Sequence, residues 1–173
     1  MSVDCLIAPP SNMELVGQLF REYAADIQVD LYFQGFEQEL ATLPGAYAPP
    51  TGALLVACWG AAPAGCVALR PLDLEGGVCE MKRLYVRAPF RGLGVGRELA
   101  GAIIAAARRA TYRAMRLDTL PQQMPAAMAL YRHLGFRPIP AYNDNPLAGV
   151  QHLELTLEQA TGNAYAEGRL PSQ

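Results

Sequence analysis

Charge is scarce in this chain: 17% of its residues are Asp, Glu, Lys or Arg, and they sum to −2. A basic face able to grip a nucleic acid or an anionic membrane is therefore not expected. Cysteine is sparse too. The four that occur, Cys5, Cys58, Cys66 and Cys79, make no C-x-x-C pair, and the two histidines, His133 and His152, stand far from them in sequence. That excludes zinc-type ligand spacing, and no metal is expected. Cys58, Cys66 and Cys79 fall inside strand-like apolar runs, where a thiol acts as a small buried hydrophobe. No apolar run approaches the ~18 residues of a membrane span. The opening "MSVDCLIAPP" has no basic n-region, so it does not read as a signal peptide. These absences point to a cytoplasmic protein that handles neither nucleic acid nor membrane.

What is present is apolar: 51% of 173 residues, enough for one domain with a full core. That domain is expected over residues 1–158, with 159–173 a poorly ordered tail of small and polar residues. "VDCLIAPP" reads as a first strand, and Ser11 with Glu14 as an S-x-x-E capping box starting a helix near Asn12 that runs to about Ala25. A shorter helix covers "FEQELATL". "GALLVACW" and "AGCVALRPL" read as strands joined by a "GAAP" turn, and "VCEMKRLYV" as the next strand. From Val95 to about Thr111 apolar residues recur at helical spacing. "AMRLDT" is a strand, "PAAMALYRHL" a helix begun by Pro125 and ended by Gly135, and "VQHLELTL" a last strand. The order β-α-α-β-β-β-α-β-α-β describes one α/β domain with a mixed sheet.

Between the fourth strand and the long helix lies "RGLGVGR", Arg91 to Arg97. A loop that leaves a strand and opens a helix presents unpaired N–H groups and the positive end of the helix dipole. Glycines there let an anion approach the backbone, so the stretch suits a phosphate or pyrophosphate. The spacing does not fit G-x-G-x-x-G, because position 97 or 99 would have to be glycine, and G-x-x-x-x-G-K-[ST] is missing as well. What fits is R-x-x-G-x-G from Arg91 through Gly94 to Gly96.

On that motif the sequence resembles the GNAT superfamily of acyl-CoA-dependent N-acyltransferases, most closely from Cys79 to Phe136. The resemblance implies a single-domain GNAT fold: a mixed, mostly antiparallel central sheet flanked by helices, with a splayed strand pair holding the acyl-CoA. Backbone groups of Leu84 and Val86 are then expected to hold the pantetheine arm. The N–H groups of Gly92, Leu93, Gly94, Val95, Gly96 and Arg97 would cup the pyrophosphate. The arginines Arg91 and Arg97 either add charge-assisted contacts to it or are solvated. Met81 and Leu84 are both apolar and three apart, which strict strand alternation would place on opposite faces. Either a β-bulge between them or a strand buried on both faces accounts for this.

Acyl transfer from a thioester to an amine needs a base, because an alkylamine with pKa ~10.4 is protonated at neutral pH, and an acid to meet the departing thiolate. "ALYRHLGF" resembles the family segment whose tyrosine protonates the sulfur, which implies that role for Tyr131; the bland reading is a ring packed on the sheet. Glu80, eleven residues before Arg91, stands where several family members carry a glutamate base acting directly or through water. Its bland reading is a surface carboxylate paired with Lys82. His133 is expected to face solvent. Where the family commonly has an asparagine contacting the coenzyme, this chain has Met124; either Gln122 or Gln123 substitutes, or the contact is missing.

The acceptor side is expected in "YAADIQVDLYFQGFEQEL" and "AYNDNPLAGV", whose carboxylates (Asp26, Asp30, Glu37, Asp144) among aromatics (Tyr32, Phe33, Phe36, Tyr142) suit a cationic amine. The expected function is acetyl transfer from acetyl-CoA to a primary amine of a small molecule, by direct transfer in a ternary complex, with a homodimer as a possible assembly. The alternatives are a non-catalytic acyl-CoA sensing module, or a transferase for another acyl group or a protein amine.

Overall fold

The computed structural model describes residues 5–31 and 34–157. The chain begins with strand β1, Cys5–Ala8, and helix α1, Met13–Ile27. The cap of α1 is Asn12, whose Oδ1 accepts from the Leu15 N–H at 2.8 Å, rather than the expected Ser11. Both residue types suit the position, and the one in extended conformation directly before the first turn takes it. Helix α2, Phe36–Ala41, is followed by three strands in a meander: β2, Ala53–Trp59, β3, Ala62–Asp73, and β4, Val78–Val86. Then come α3, Val95–Arg109, β5, Ala114–Thr119, and α4, Pro125–His133. Two strands close the chain, β6, Arg137–Ile139, and β7, Gln151–Thr156. β6 was not expected: it is three residues long, contains Pro138 and is largely exposed, so it carries no alternating signal. The expected tail 159–173 lies outside the described residues.

The strands form one seven-stranded sheet in the order β1-β2-β3-β4-β5-β7-β6. Every neighbouring pair is antiparallel except β4 and β5, which run parallel. A parallel pair needs a crossover, and α3 supplies it. Helix α3 buries Leu99, Ala100, Ile103, Ile104 and Ala107 against one face of the sheet, and α4 adds Met128 and Tyr131 to the same cluster. Helices α1 and α2 cover the other face through Val16, Leu19, Phe20 and Phe36.

Two irregularities shape the centre of the sheet. Beside β3, the pairing jumps from Cys66 opposite Tyr85 to Ala68 opposite Lys82, so Arg83 and Leu84 together oppose Val67. This is the bulge that reconciles Met81 with Leu84, and both side chains do share the α3 face. Arg83 adopts φ +60° to make it. On the far side, β4 pairs with β5 only from Val78–Ala114 to Glu80–Arg116, after which the strands part.

Candidate active site

The bulge changes which side chains share a face. Before it, Glu80 and Lys82 point away from α3; after it, the extra residue adds Arg83 to the same side. Two consecutive cations in a buried strand thus meet the α1–α2 layer. The Arg83 guanidinium, 2% exposed, pairs with Glu39 of α2 through Nε to Oε2 at 3.0 Å and Nη2 to Oε1 at 3.3 Å. It also lies over the Tyr23 and Phe36 rings, 5.6 and 5.2 Å from their centroids. Tyr47 donates to the same Glu39. These contacts hold a non-glycine residue in a left-handed conformation that costs about 1–2 kcal/mol when unsupported.

Where β4 and β5 part, a cavity of about 30 Å³ opens through the sheet. Leu84, Leu117 and Tyr131 reach it from the α3–α4 side; Tyr23, Lys82 and Asp118 reach it from the other. Tyr131 is buried, its ring edge against Phe136 at 5.6 Å. Burial, then the nearby Tyr23 and Asp118, push its phenol well above the ordinary value, so it stays protonated. Ring packing and a proton held at the cavity are therefore properties of the same side chain.

Glu80 is 1% exposed and is not the surface carboxylate paired with Lys82 that one reading expected. Arg70, directly across the ladder on β3, places Nε and Nη2 each 2.7 Å from Oε1. Tyr142 donates to Oε2 at 2.7 Å. Glu80 is thus one strand step from the cavity, without lining it. Asp118, which carried no local sequence signal, does line it. Its Oδ2 accepts from Asn143 at 2.9 Å and Asn145 at 3.0 Å, and His152 in turn meets Asn143 Oδ1 at 2.8 Å. Burial works to raise the Asp118 carboxyl, but Lys82, the two amides and His152 outweigh it and hold it below its ordinary value.

On the α4 side of the gap runs a groove of about 380 Å³, between the end of β4, the glycine loop and the start of α4. Gly92 and Gly94 have φ of +76° and +86°, and a Cβ on either would stand in open space at the groove wall. Among the described residues, none of the N–H groups from Gly92 to Arg97 donates a hydrogen bond of ordinary geometry. They sit at the N-terminus of α3. Free donors, bare backbone and the helix dipole together fit an anion such as a pyrophosphate. Leu84 and Val86 line the same groove, and beyond Glu80 neither has a β5 partner.

The other expected residues are distributed as follows. Leu93 is exposed, whereas the Val95 side chain is in the core, leaving its backbone to the loop. Arg91 donates to the Val86 carbonyl at 2.8 Å and pairs with Asp26 at 3.0 Å. Arg97 is exposed and stands 3.2 Å from the exposed His133. Met124 caps α4 and forms wall to both groove and cavity; Gln123 lines the groove. Of the acceptor-side residues, Tyr142 and Asn143 belong to the polar network beneath the loop, Phe36 stacks on Arg83, and Tyr32 and Phe33 lie outside the described residues. Sequence reading missed Lys82, Asp118 and Thr119 as cavity residues; the run Lys82-Arg83 inside an apolar strand was the available signal.

The model of the acetyltransferase (GNAT) family matches residues 18–136. An uncharacterised N-acetyltransferase of Schizosaccharomyces pombe is 38% identical over 151 residues, covering 87% of this chain and 91% of that protein. A GNAT-family acetyltransferase structure from Staphylococcus aureus superposes with TM-score 0.72 at 18% identity, over 89% of this chain and 99% of that one. An acetyltransferase of Salmonella typhimurium, solved with its cofactor acetyl-CoA, superposes with TM-score 0.61 at 20% identity, over 93% and 99% of the two chains.

Proposed function

The chain belongs to the acetyltransferase (GNAT) family and is an acyltransferase, and from that premise we propose that it moves the acetyl group of acetyl-CoA directly to a primary amine of a small molecule within a ternary complex. The observation that carries this reading is the junction of groove and cavity, which share Leu84 and Met124 as wall. A donor laid in the groove on the α4 side would present its thioester at the gap between β4 and β5. An amine would approach through the polar mouth on the other face of the sheet. The two reactants would meet inside the sheet, out of bulk water, at a fixed orientation.

In the transfer, the acetyl carbon loses its bond to sulfur and gains one to the amine nitrogen. Tyr131, protonated and at the cavity wall, would give its proton to the leaving thiolate and be restored, by way of water, by the proton that the nitrogen of the tetrahedral adduct must still lose. The amine must shed a proton to attack. Glu80 would accept it through an intervening water, since its two oxygens are already held by Arg70 and Tyr142. Arg91 would serve the donor's phosphates by exchanging its Asp26 contact for a stronger charge-assisted one. Among the described residues no helix is long and apolar enough to cross a membrane.

The test is thiol release from acetyl-CoA by the purified chain against polyamines, amino acids, aminoglycosides and lysine peptides. Release that depends on one class of small amine supports the proposal. Preference for the peptides would move the acceptor to protein, and tight acetyl-CoA binding with no release for any amine would overturn it.

A further inference from the structure

The chain contains a single lysine, Lys82, against thirteen arginines. That one ammonium is 7% exposed and lines the cavity between the parted strands. Its hydrogen-bond partner is a neutral amide: Nζ donates to Gln34 Oε1 at 3.2 Å. The other charges around it are already matched. Glu80 is held by Arg70, and Arg83 by Glu39. Asp118 lines the same cavity, yet among the described residues no ion pair joins it to Lys82 within 4.0 Å; its oxygen is held by Asn143 and Asn145 instead. A buried cation and a half-buried anion therefore face one small space with no ion pair between them. A third polar group waits there. Thr119, also at the cavity wall, has a buried hydroxyl oxygen with no hydrogen-bond partner among the described residues.

Buried charge held apart is unfavourable unless something bridges it. The space of about 30 Å³ has room for a carboxylate-sized group. Resting on the acetyl-transfer reading above, we propose that the acceptor is an amino carboxylate, a molecule carrying a carboxylate close to its primary amine, with the carboxylate on Lys82 and the ammonium on Asp118.

The arrangement has a steric logic. Lysine delivers a compact point charge, whereas an arginine fork at the same position would fill the space it serves. Holding the carboxylate on Lys82 keeps the amine beside Asp118 at the gap between β4 and β5, so one contact selects the substrate and positions its nitrogen. Burial depresses the Lys82 ammonium below its ordinary value, and an incoming carboxylate would restore its preference for the charged form. Of the acidic residues on the first two helices, Glu22, Asp26 and Glu39 are paired to arginines, whereas Glu14 and Glu37 form no ion pair among the described residues.

The experiment compares matched substrates with the full chain and acetyl-CoA: amino acids with acidic, apolar and basic side chains, each beside the amine left by removing its α-carboxylate. The wild-type chain is expected to show kcat/KM at least about 30-fold higher for the best amino acid than for its decarboxylated partner, the size of one charged hydrogen bond. Lys82→Met should collapse that ratio by roughly tenfold or more, and Lys82→Arg should recover little of it. A wild-type chain that prefers the decarboxylated amines, or a ratio unmoved in Lys82→Met, would overturn the inference while leaving acetyl transfer standing. Because the substrate comparison is made first on the wild-type chain, it decides the matter even if the variants do not fold. Acetyl-CoA binding with turnover of neither class would instead sink the transferase reading itself.

Discussion

Tyr142, in the stretch between β6 and β7, donates its phenolic hydrogen to Glu80 on β4 at 2.7 Å, across 62 positions of chain. Burial first, then the adjacent Glu80 carboxylate, push the phenol far above its usual value, so it remains a donor. Its ring edge meets His152 at 5.2 Å, and the Arg116 guanidinium lies 5.7 Å from its centroid. One tyrosine thus ties the last connection of the fold to the strand that borders the cavity, and it fixes the orientation of the carboxylate proposed as base.

Tyr142→Phe keeps the ring and removes the donor, leaving an oxygen of a nearly fully buried carboxylate short of a partner. The expected loss is about 2 kcal/mol, read as a fall of roughly 4–8 °C in melting temperature. A variant that melts with the wild type would mean that water replaces the phenol at no cost.

Tyr131→Phe should lower kcat about 100-fold, the lower range for loss of a positioned proton donor, with coenzyme A affinity little changed because the residue stands at the cavity rather than along the groove. The kinetic pattern separates the two roles of this side chain. A drop in thermal stability with kcat intact would leave Tyr131 as packing alone.

Gly94→Ala tests the loop. The φ of +86° makes a Cβ unfavourable by about 1–2 kcal/mol, and no neighbouring atom lies within 4 Å to add a clash. If the bare backbone is where an anion approaches, titration calorimetry should find coenzyme A bound at least about tenfold more weakly. Affinity equal to the wild type would place the anion elsewhere.

Glu39→Gln removes the counter-charge of Arg83, in a pair whose side chains are 13% and 2% exposed. Breaking a buried pair from one side leaves an unmatched charge, and about 3 kcal/mol of folding stability should be lost in urea denaturation. The left-handed bulge residue loses its anchor at the same time, so the damage should extend to acceptor turnover.

Asp118 sets an acid limit. Its folded-state carboxyl is held below the ordinary ~3.9, so between the folded and unfolded values the unfolded chain binds more protons and stability rises with pH. The contribution is present above about pH 4 and disappears as pH falls through the depressed value. In Asp118→Asn the corresponding slope should vanish, so the stability gap between variant and wild type closes on acidification. Parallel curves from pH 6 to 3 would contradict this.

Legibility in the sequence followed the range over which each feature is encoded. Strands β4 and β5 are found at the bounds their apolar runs set, Val78–Val86 and Ala114–Thr119, because alternation and helical spacing are local. The Met81–Leu84 spacing left a bulge and a strand buried on both faces as two readings, and β4 shows both: its register shifts there, and its residues from Val78 to Leu84 are all buried. The glycine loop was legible for the same reason: its conformation and its open donors belong to consecutive residues. The polar environment was not. Glu80 finds Arg70 through the ladder and Tyr142 through the final connection; Arg83 finds Glu39 across 44 positions. Asp118 sits between Leu117 and Thr119 like any outward residue of a strand, and becomes a cavity residue only because β4 leaves β5.

That departure also leaves a seam in the sheet. Four strands stand on one side of the seam and three on the other, joined edge to edge over Val78–Glu80 and Ala114–Arg116. A pantetheine arm carries amides of its own, so once seated along Leu84 and Val86 it would act as a surrogate strand and finish the zipper. Donor would then bind before acceptor, since the acceptor's chamber lacks one wall until the arm is in place. Amide hydrogen exchange in β5 should slow when coenzyme A is added, and unchanged exchange there would mean that the two halves are already rigid without it.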